Sequence, residues 1–178
     1  MLEDVGPGTR RLCSAAVGED LWVVGPLGRG FAPPPADHEL LLVGGGVGIP
    51  PLAMVQAAWG GRALVGFRDG EHAVGASLLD GGEIATDDGS VGHRGYVTEL
   101  LERELGDGRT CCVYACGPPG MLETVRALTV AADVPAWLAL EAPMACGFGA
   151  CFGCVVATHE GYKRVCVDGP VFEAAALA

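Results

Sequence analysis

The chain has 178 residues and a formal net charge of −11, from 11 Lys plus Arg against 22 Asp plus Glu. That balance excludes the clustered positive charge that nucleic acid or an anionic membrane surface demands of a partner. Half of the residues are hydrophobic and 19% are charged, which excludes a disordered polyelectrolyte and leaves a globular chain of one domain or two small ones.

In chain order, the opening residues carry neither a basic n-region nor an apolar h-region, and no apolar run is long enough to span a bilayer. A cytoplasmic, reducing setting is therefore expected, where cysteines serve as ligands or catalysts more often than as disulfides. Val5–Thr9 reads as a loop, and Asp20–Gly28 (DLWVVGPLG) reads as a β-strand ending in a turn. Pro33–Pro35 reads as a stiff linker. One or two strands ahead of it are too few for an independent domain.

Beyond the linker the pattern alternates. Strands are expected at 40–43, 63–67, 83–86, 111–115 and 136–140, and helices at 51–59, 96–105 and 121–132. This spacing predicts a doubly wound, parallel α/β sheet with right-handed crossovers. Ligands bind such sheets at the carboxyl ends of the strands, and the glycine-rich loops 44–51, 87–92 and 116–120 all fall there.

Gly44-Gly-Gly-Val-Gly-Ile-Pro-Pro51 joins a strand to a helix. Gly44, Gly46 and Gly48 would let the backbone approach a pyrophosphate, and Pro51 suits a first helical turn, where its missing N–H leaves nothing unpaired. Asp87 and Asp88 stand just past a strand. Either could accept hydrogen bonds from ribose hydroxyls and repel a 2′-phosphate, which favours NAD over NADP; the alternative is a solvated turn with an Asx cap. Cys116-Gly117 opens the third loop, where Cys116 is placed either beside a nicotinamide or flavin ring or as a small buried residue. Cys111 and Cys112 read as core and Cys13 as an inert thiol. His38, His72, His93 and His159 have no metal-like spacing and read as surface residues, and no Ser/His/Asp or paired-carboxylate catalytic pattern stands out.

Four of the eight cysteines close the chain as Cys146-x4-Cys151-x2-Cys154 and a distant Cys166. That is the spacing of plant-type [2Fe–2S] ligation. A loop wrapping so compact a cluster must aim backbone N–H groups at its sulfurs, and Gly147, Gly149 and Gly153 remove the side chains that would obstruct this. Zinc is the rival, although structural zinc sites usually present two short knuckles and only Cys151-x2-Cys154 qualifies. A cluster passes single electrons while a nicotinamide takes a hydride, so a chain holding both needs a flavin between them.

These residues resemble the electron-transfer subunit of class 1B (NAD-linked) dihydroorotate dehydrogenase, in the ferredoxin reductase-like superfamily. The resemblance is carried by Met144–Cys154 and Gly161–Phe172, and extended by Leu42–Leu52, Thr86–Gly92 and Tyr114–Met121. It implies a ferredoxin reductase-like fold in three parts. Residues 1–35 would be a truncated FAD-binding β-barrel remnant with its linker, with Asp20–Phe31 as the barrel's last strands. Residues 36–141 would be the NAD-binding domain and 142–178 a small [2Fe–2S] domain. It also implies that Cys146, Cys151, Cys154 and Cys166 ligate the cluster and that Gly8-Thr9 touches FAD. The partner would be an FMN-containing catalytic subunit in a heterotetramer of two of each, with electrons passing from FMN through the cluster and FAD to NAD+ in pyrimidine biosynthesis. The shortened barrel leads to the expectation of little or no flavin in the isolated chain. A reductase subunit of the sulfide dehydrogenase or transhydrogenase type, and a zinc-stapled nucleotide-binding module without redox activity, are the other readings.

Overall fold

A computed structural model describes residues 2–178. A short helix, α1 (Pro7–Cys13), is followed by irregular chain up to β1 (Glu39–Gly45). Then come α2 (Ile49–Trp59), β2 (Arg62–Phe67), β3 (Glu83–Thr86), β4 (His93–Arg94), α3 (Val97–Gly106), β5 (Cys111–Cys116), α4 (Pro119–Ala131) and β6 (Ala136–Ala139). A hairpin of β7 (Val155–Thr158) and β8 (Gly161–Arg164) precedes β9 (Val171–Glu173). None of the helices among the described residues is long and apolar enough to cross a membrane.

Seven strands form one sheet in the order β4-β3-β2-β1-β5-β6-β9, parallel except for β9, which runs antiparallel to β6. The expected parallel α/β sheet is therefore present, and its topological switch falls between β1 and β5. The apolar run of β1 follows from burial on both sides. Leu40 and Leu42 face α2 with Ile49, Leu52 and Val55, whereas Leu41 and Val43 face the α3 and α4 side with Leu100, Leu101 and Val125. Successive side chains on a strand point to opposite faces, so one run serves two cores.

Cys154, Val165, Cys166, Phe172 and Leu177 belong to the same packed core as Val113 and Val125. The terminal cysteine segment is thus joined to the sheet by β9 and by shared apolar contact. Cys111 and Cys112 lie in the core, as expected.

Two expectations at the N-terminal end are corrected. Pro7–Cys13 is helical rather than loop, with the Thr9 hydroxyl accepting the N–H groups of Val5 and Gly6, both at 3.0 Å. Asp20–Gly28 forms no strand. Its branched and aromatic composition suits a pleated sheet, but a strand needs hydrogen-bonding partners. Trp22 and Val23 instead stand exposed. The chain regains contact at Arg29, whose N–H bonds the Gly169 carbonyl, and at Phe31, whose ring stacks on Tyr114 at 4.8 Å between centroids. The Tyr114 hydroxyl donates to the Ala32 carbonyl at 2.9 Å.

Candidate functional site

At the carboxyl edge of the sheet, where the helices after β1 and β5 leave for opposite faces, a cleft of about 550 Å³ opens. Gly45, Gly46, Arg68, Asp87, Tyr96 and Met121 are among the residues that line it. Of the residues singled out from sequence, Gly46 and Asp87 face this cleft. Gly44, Gly48 and Gly117 build its walls through close approach. A Cβ on Gly44 would lie 2.6 Å from Ile49 Cδ1, and one on Gly48 would lie 2.2 Å from the Cys116 carbonyl oxygen. One on Gly117 would lie 3.0 Å from the Gly45 nitrogen. Absent side chains thus let the β1 loop cross the β5 loop. Pro51 sits exposed in the first turn of α2, behind Pro50.

Asp88 takes the Asx-turn alternative. Its carboxylate accepts the Ser90 N–H at 2.9 Å and the Ser90 hydroxyl at 2.6 Å, and those bonds hold it below the usual carboxylate range. Asp87 is the member of the pair turned to the cleft. Sequence reasoning passed over Arg68 and Tyr96, which enter the cleft from the ends of β2 and the start of α3. Arg68 has one sequence signal, its position next to the carboxyl end of a predicted strand, and Tyr96 opens a predicted helix. Arg68 meets His72 Nε2 and lies 3.6 Å from Glu3 across the cleft mouth. His72, His93 and His159 are exposed and His38 half-buried.

Cys116 ends β5 almost wholly buried, and burial, with the Glu141 charge second, pushes its thiol up to about 11. The Gly8-Thr9 pair lies in α1, Gly8 exposed and Thr9 occupied in capping that helix.

The terminal cysteines make two contacts, one between sulfurs and one from a backbone N–H to a sulfur. The Cys154 and Cys166 sulfurs are 3.2 Å apart, and the Cys151 N–H points at the Cys146 sulfur at 3.4 Å. Further N–H groups are directed at sulfur: Gly153 at Cys151, 3.4 Å, and Cys166 at Cys154, 3.5 Å. Donors from Cys151 and Phe148 lower the Cys146 thiol to about 6, and the Cys166 N–H lowers that of Cys154; the hydrogen bond between the Cys154 and Cys166 thiols raises that of Cys166. The winding needs left-handed backbone at Gly147 (φ 75°), Gly149 (φ 90°) and Phe152 (φ 56°). At Gly149 a Cβ would also strike Val167 Cγ2 at 2.6 Å.

Among the described residues no three His, Cys, Asp or Glu side chains converge as ligands around one ion. A two-iron cluster asks for something else, two thiolates on each iron with N–H groups toward the sulfurs. The Cys154–Cys166 contact and the N–H groups directed at sulfur fit that group.

A family model for the iron–sulfur cluster binding domain of dihydroorotate dehydrogenase B matches residues 141–178. Similar curated proteins are the dihydroorotate dehydrogenase B (NAD(+)) electron transfer subunits of Desulforamulus reducens, Shouchella clausii and Geobacillus thermodenitrificans. They are 38%, 38% and 41% identical over 94%, 94% and 95% of this chain, which spans 69%, 68% and 69% of theirs. Among solved structures, that of an NADH-dependent reduced ferredoxin-NADP oxidoreductase superposes with a TM-score of 0.83 at 30% identity. The match covers 99% of this chain and 67% of that one.

Proposed function

Since the chain belongs to the family of dihydroorotate dehydrogenase B (NAD(+)) electron transfer subunits, we propose that it relays electrons from a catalytic partner subunit to NAD+. In this reading Cys146, Cys151, Cys154 and Cys166 hold a [2Fe–2S] cluster, and the cleft at the β1/β5 switch takes the dinucleotide. The partner carries FMN and oxidises dihydroorotate, and the assembly holds two copies of each chain. Once bound, the cluster supplies single-electron transfer and FAD the conversion to a hydride.

The chain's own residues bind and orient. Gly46 and the crossing at Gly48 present backbone to a pyrophosphate at the start of α2, where the helix N-terminus favours negative charge. Asp87 accepts from ribose hydroxyls. Asp88, tied to Ser90, fixes the turn that holds Asp87 in place. Gly117 brings Cys116 to the floor of the crossing, and Gly8-Thr9 is the contact assigned to FAD. Units 1–35, 36–141 and 142–178 divide the work between flavin, dinucleotide and cluster.

The observation that carries this reading is the contact of the Cys154 and Cys166 sulfurs together with backbone N–H groups directed at the sulfurs of Cys146, Cys151 and Cys154. Analysis of the purified full chain for metal, sulfide and flavin tests it. About two iron and two sulfide per chain are expected, with a brown colour. A colourless protein with one zinc per chain overturns it.

A second reading, a reductase subunit of the ferredoxin–NADP type, has Arg68 in its favour, since a guanidinium at the cleft suits a 2′-phosphate. Titrating the protein with NADH and NADPH side by side separates the two. Tighter NADH binding fits the role given to Asp87, and tighter NADPH binding gives the site to Arg68.

A further inference from the structure

Arg164 ends β8 two residues before Cys166 and reaches back across the cysteine loop. Its Nη1 donates to the Gly149 carbonyl at 3.1 Å, and its Cζ lies 4.9 Å from the centroid of the Phe152 ring. Asp168 holds it from behind, accepting the Arg164 backbone N–H at 2.8 Å and facing Nε at 3.6 Å. One guanidinium therefore touches the loop on both sides of Cys151, while its own backbone is anchored beside Cys166.

The Gly149 contact acts on the loop through the peptide that Gly149 shares with Ala150. In a trans peptide the carbonyl and the next N–H point in opposite directions. Tying the Gly149 carbonyl to Arg164 aims the Ala150 N–H the other way, to the side of the peptide away from the guanidinium. Gly149 alone does not fix this direction. Its φ of 90° is open to glycine but not demanded by it, so glycine supplies the freedom and the arginine the choice. Phe152, also left-handed, has its ring under the same guanidinium.

We propose that Arg164 is a positioning residue for the cluster, orienting the Gly149–Ala150 peptide between Cys146 and Cys151 and placing one fixed positive charge beside the thiolates. This rests on the cluster reading above. N–H donors at the sulfurs and a nearby cation both favour the form carrying the extra electron, so both raise the reduction potential. Lysine keeps the charge but lacks the planar fork that reaches a carbonyl and a ring at once.

The test is an EPR-monitored redox titration, with iron and sulfide analysis, of the full chain as wild type, Arg164→Lys and Arg164→Gln. Arg164→Gln is expected to take up its electron with about a tenfold smaller equilibrium constant, a fall of about 59 mV for a one-electron couple. Arg164→Lys is expected to fall by less, with shifted g-values that report the turned peptide. Should the glutamine variant lose its iron, the lysine variant decides. Wild-type potential and spectrum in whichever variant keeps its iron, or loss of iron from both, overturns the proposal. A wild-type chain without iron and sulfide sinks the cluster reading instead, before any variant is compared.

Discussion

Gly48 sits where two loops of the sheet edge cross, at an ordinary φ of −76°, so space and not backbone strain demands the glycine. The atoms a methyl would meet are the Cys116 carbonyl carbon and oxygen, which move only if β5 moves. Gly48→Ala is therefore expected to cost about 1–3 kcal/mol, as overpacking usually does, and to weaken NADH binding. Urea denaturation and a nucleotide titration measure the two effects. The neighbouring thiols make a second case. Burial pushes Cys112 and Cys116 up to about 11, so both stay protonated at pH 8, and both are almost fully covered. In native protein treated with iodoacetamide at pH 8, mass spectrometry is expected to find Cys13 alkylated and Cys112 and Cys116 unmodified. Alkylation of Cys116 without unfolding would show that the β5 loop opens to solvent. At this scale the spacing of Cys146 to Cys154 marks the segment that the iron–sulfur domain family model matches. The sequence was ambiguous at Asp87 and Asp88, because two adjacent carboxylates look alike until Ser90 captures one of them.

A strand's legibility depends on what covers it. The run Leu40–Val43 in β1 could be read because both faces are buried and each of those four residues is apolar. Strands β7, β8 and β9 are short, partly exposed and of mixed character, and nothing in their pattern separated them from loop. Asp20–Gly28 failed in the opposite way, having strand composition without a partner to pair with. What fixes the chain just after it is a side-chain anchor, Phe31 on Tyr114 with the Tyr114 hydroxyl on Ala32. Tyr114→Phe keeps the stacking and removes the hydrogen bond, and is expected to cost about 0.5–1.5 kcal/mol. Tyr114→Ala also removes a buried ring and is expected to cost about 3–5 kcal/mol. Chemical denaturation of the three proteins separates bond from ring. Limited proteolysis should then cut within 20–31 faster in the alanine variant, because the anchor of that stretch is gone.

Across the molecule, a charge network gathers at one edge of the sheet and exposed rings stand on the cysteine loop. At the amino-terminal edge of the sheet, Arg62, Arg103 and Arg109 surround the almost buried Glu104, with Glu39 and Glu83 completing an ion network far from the strand ends that open the cleft. Around the cysteine loop Met144, Phe148, Phe152 and Tyr162 are exposed, beside the ion pairs Lys163–Glu160 and Arg164–Asp168. The exposed rings of the loop surface offer a partner an apolar contact. Electron transfer weakens steeply with distance, so the surface nearest the thiols is the favourable place for a redox partner to dock. Phe148 tests this with the fewest side effects, because its ring is 63% exposed while its contribution to the thiols is a backbone N–H that any residue retains. Phe148→Ser is expected to leave iron content and cluster spectrum unchanged. It should weaken the complex with the catalytic subunit about tenfold, about 1.4 kcal/mol, as read by isothermal titration calorimetry. Phe148→Leu should recover most of that loss, since the contact is apolar burial rather than ring chemistry. An unchanged affinity in the serine variant would move the docking surface away from the cysteine loop, and the electrons would then need a longer path to reach the same thiols.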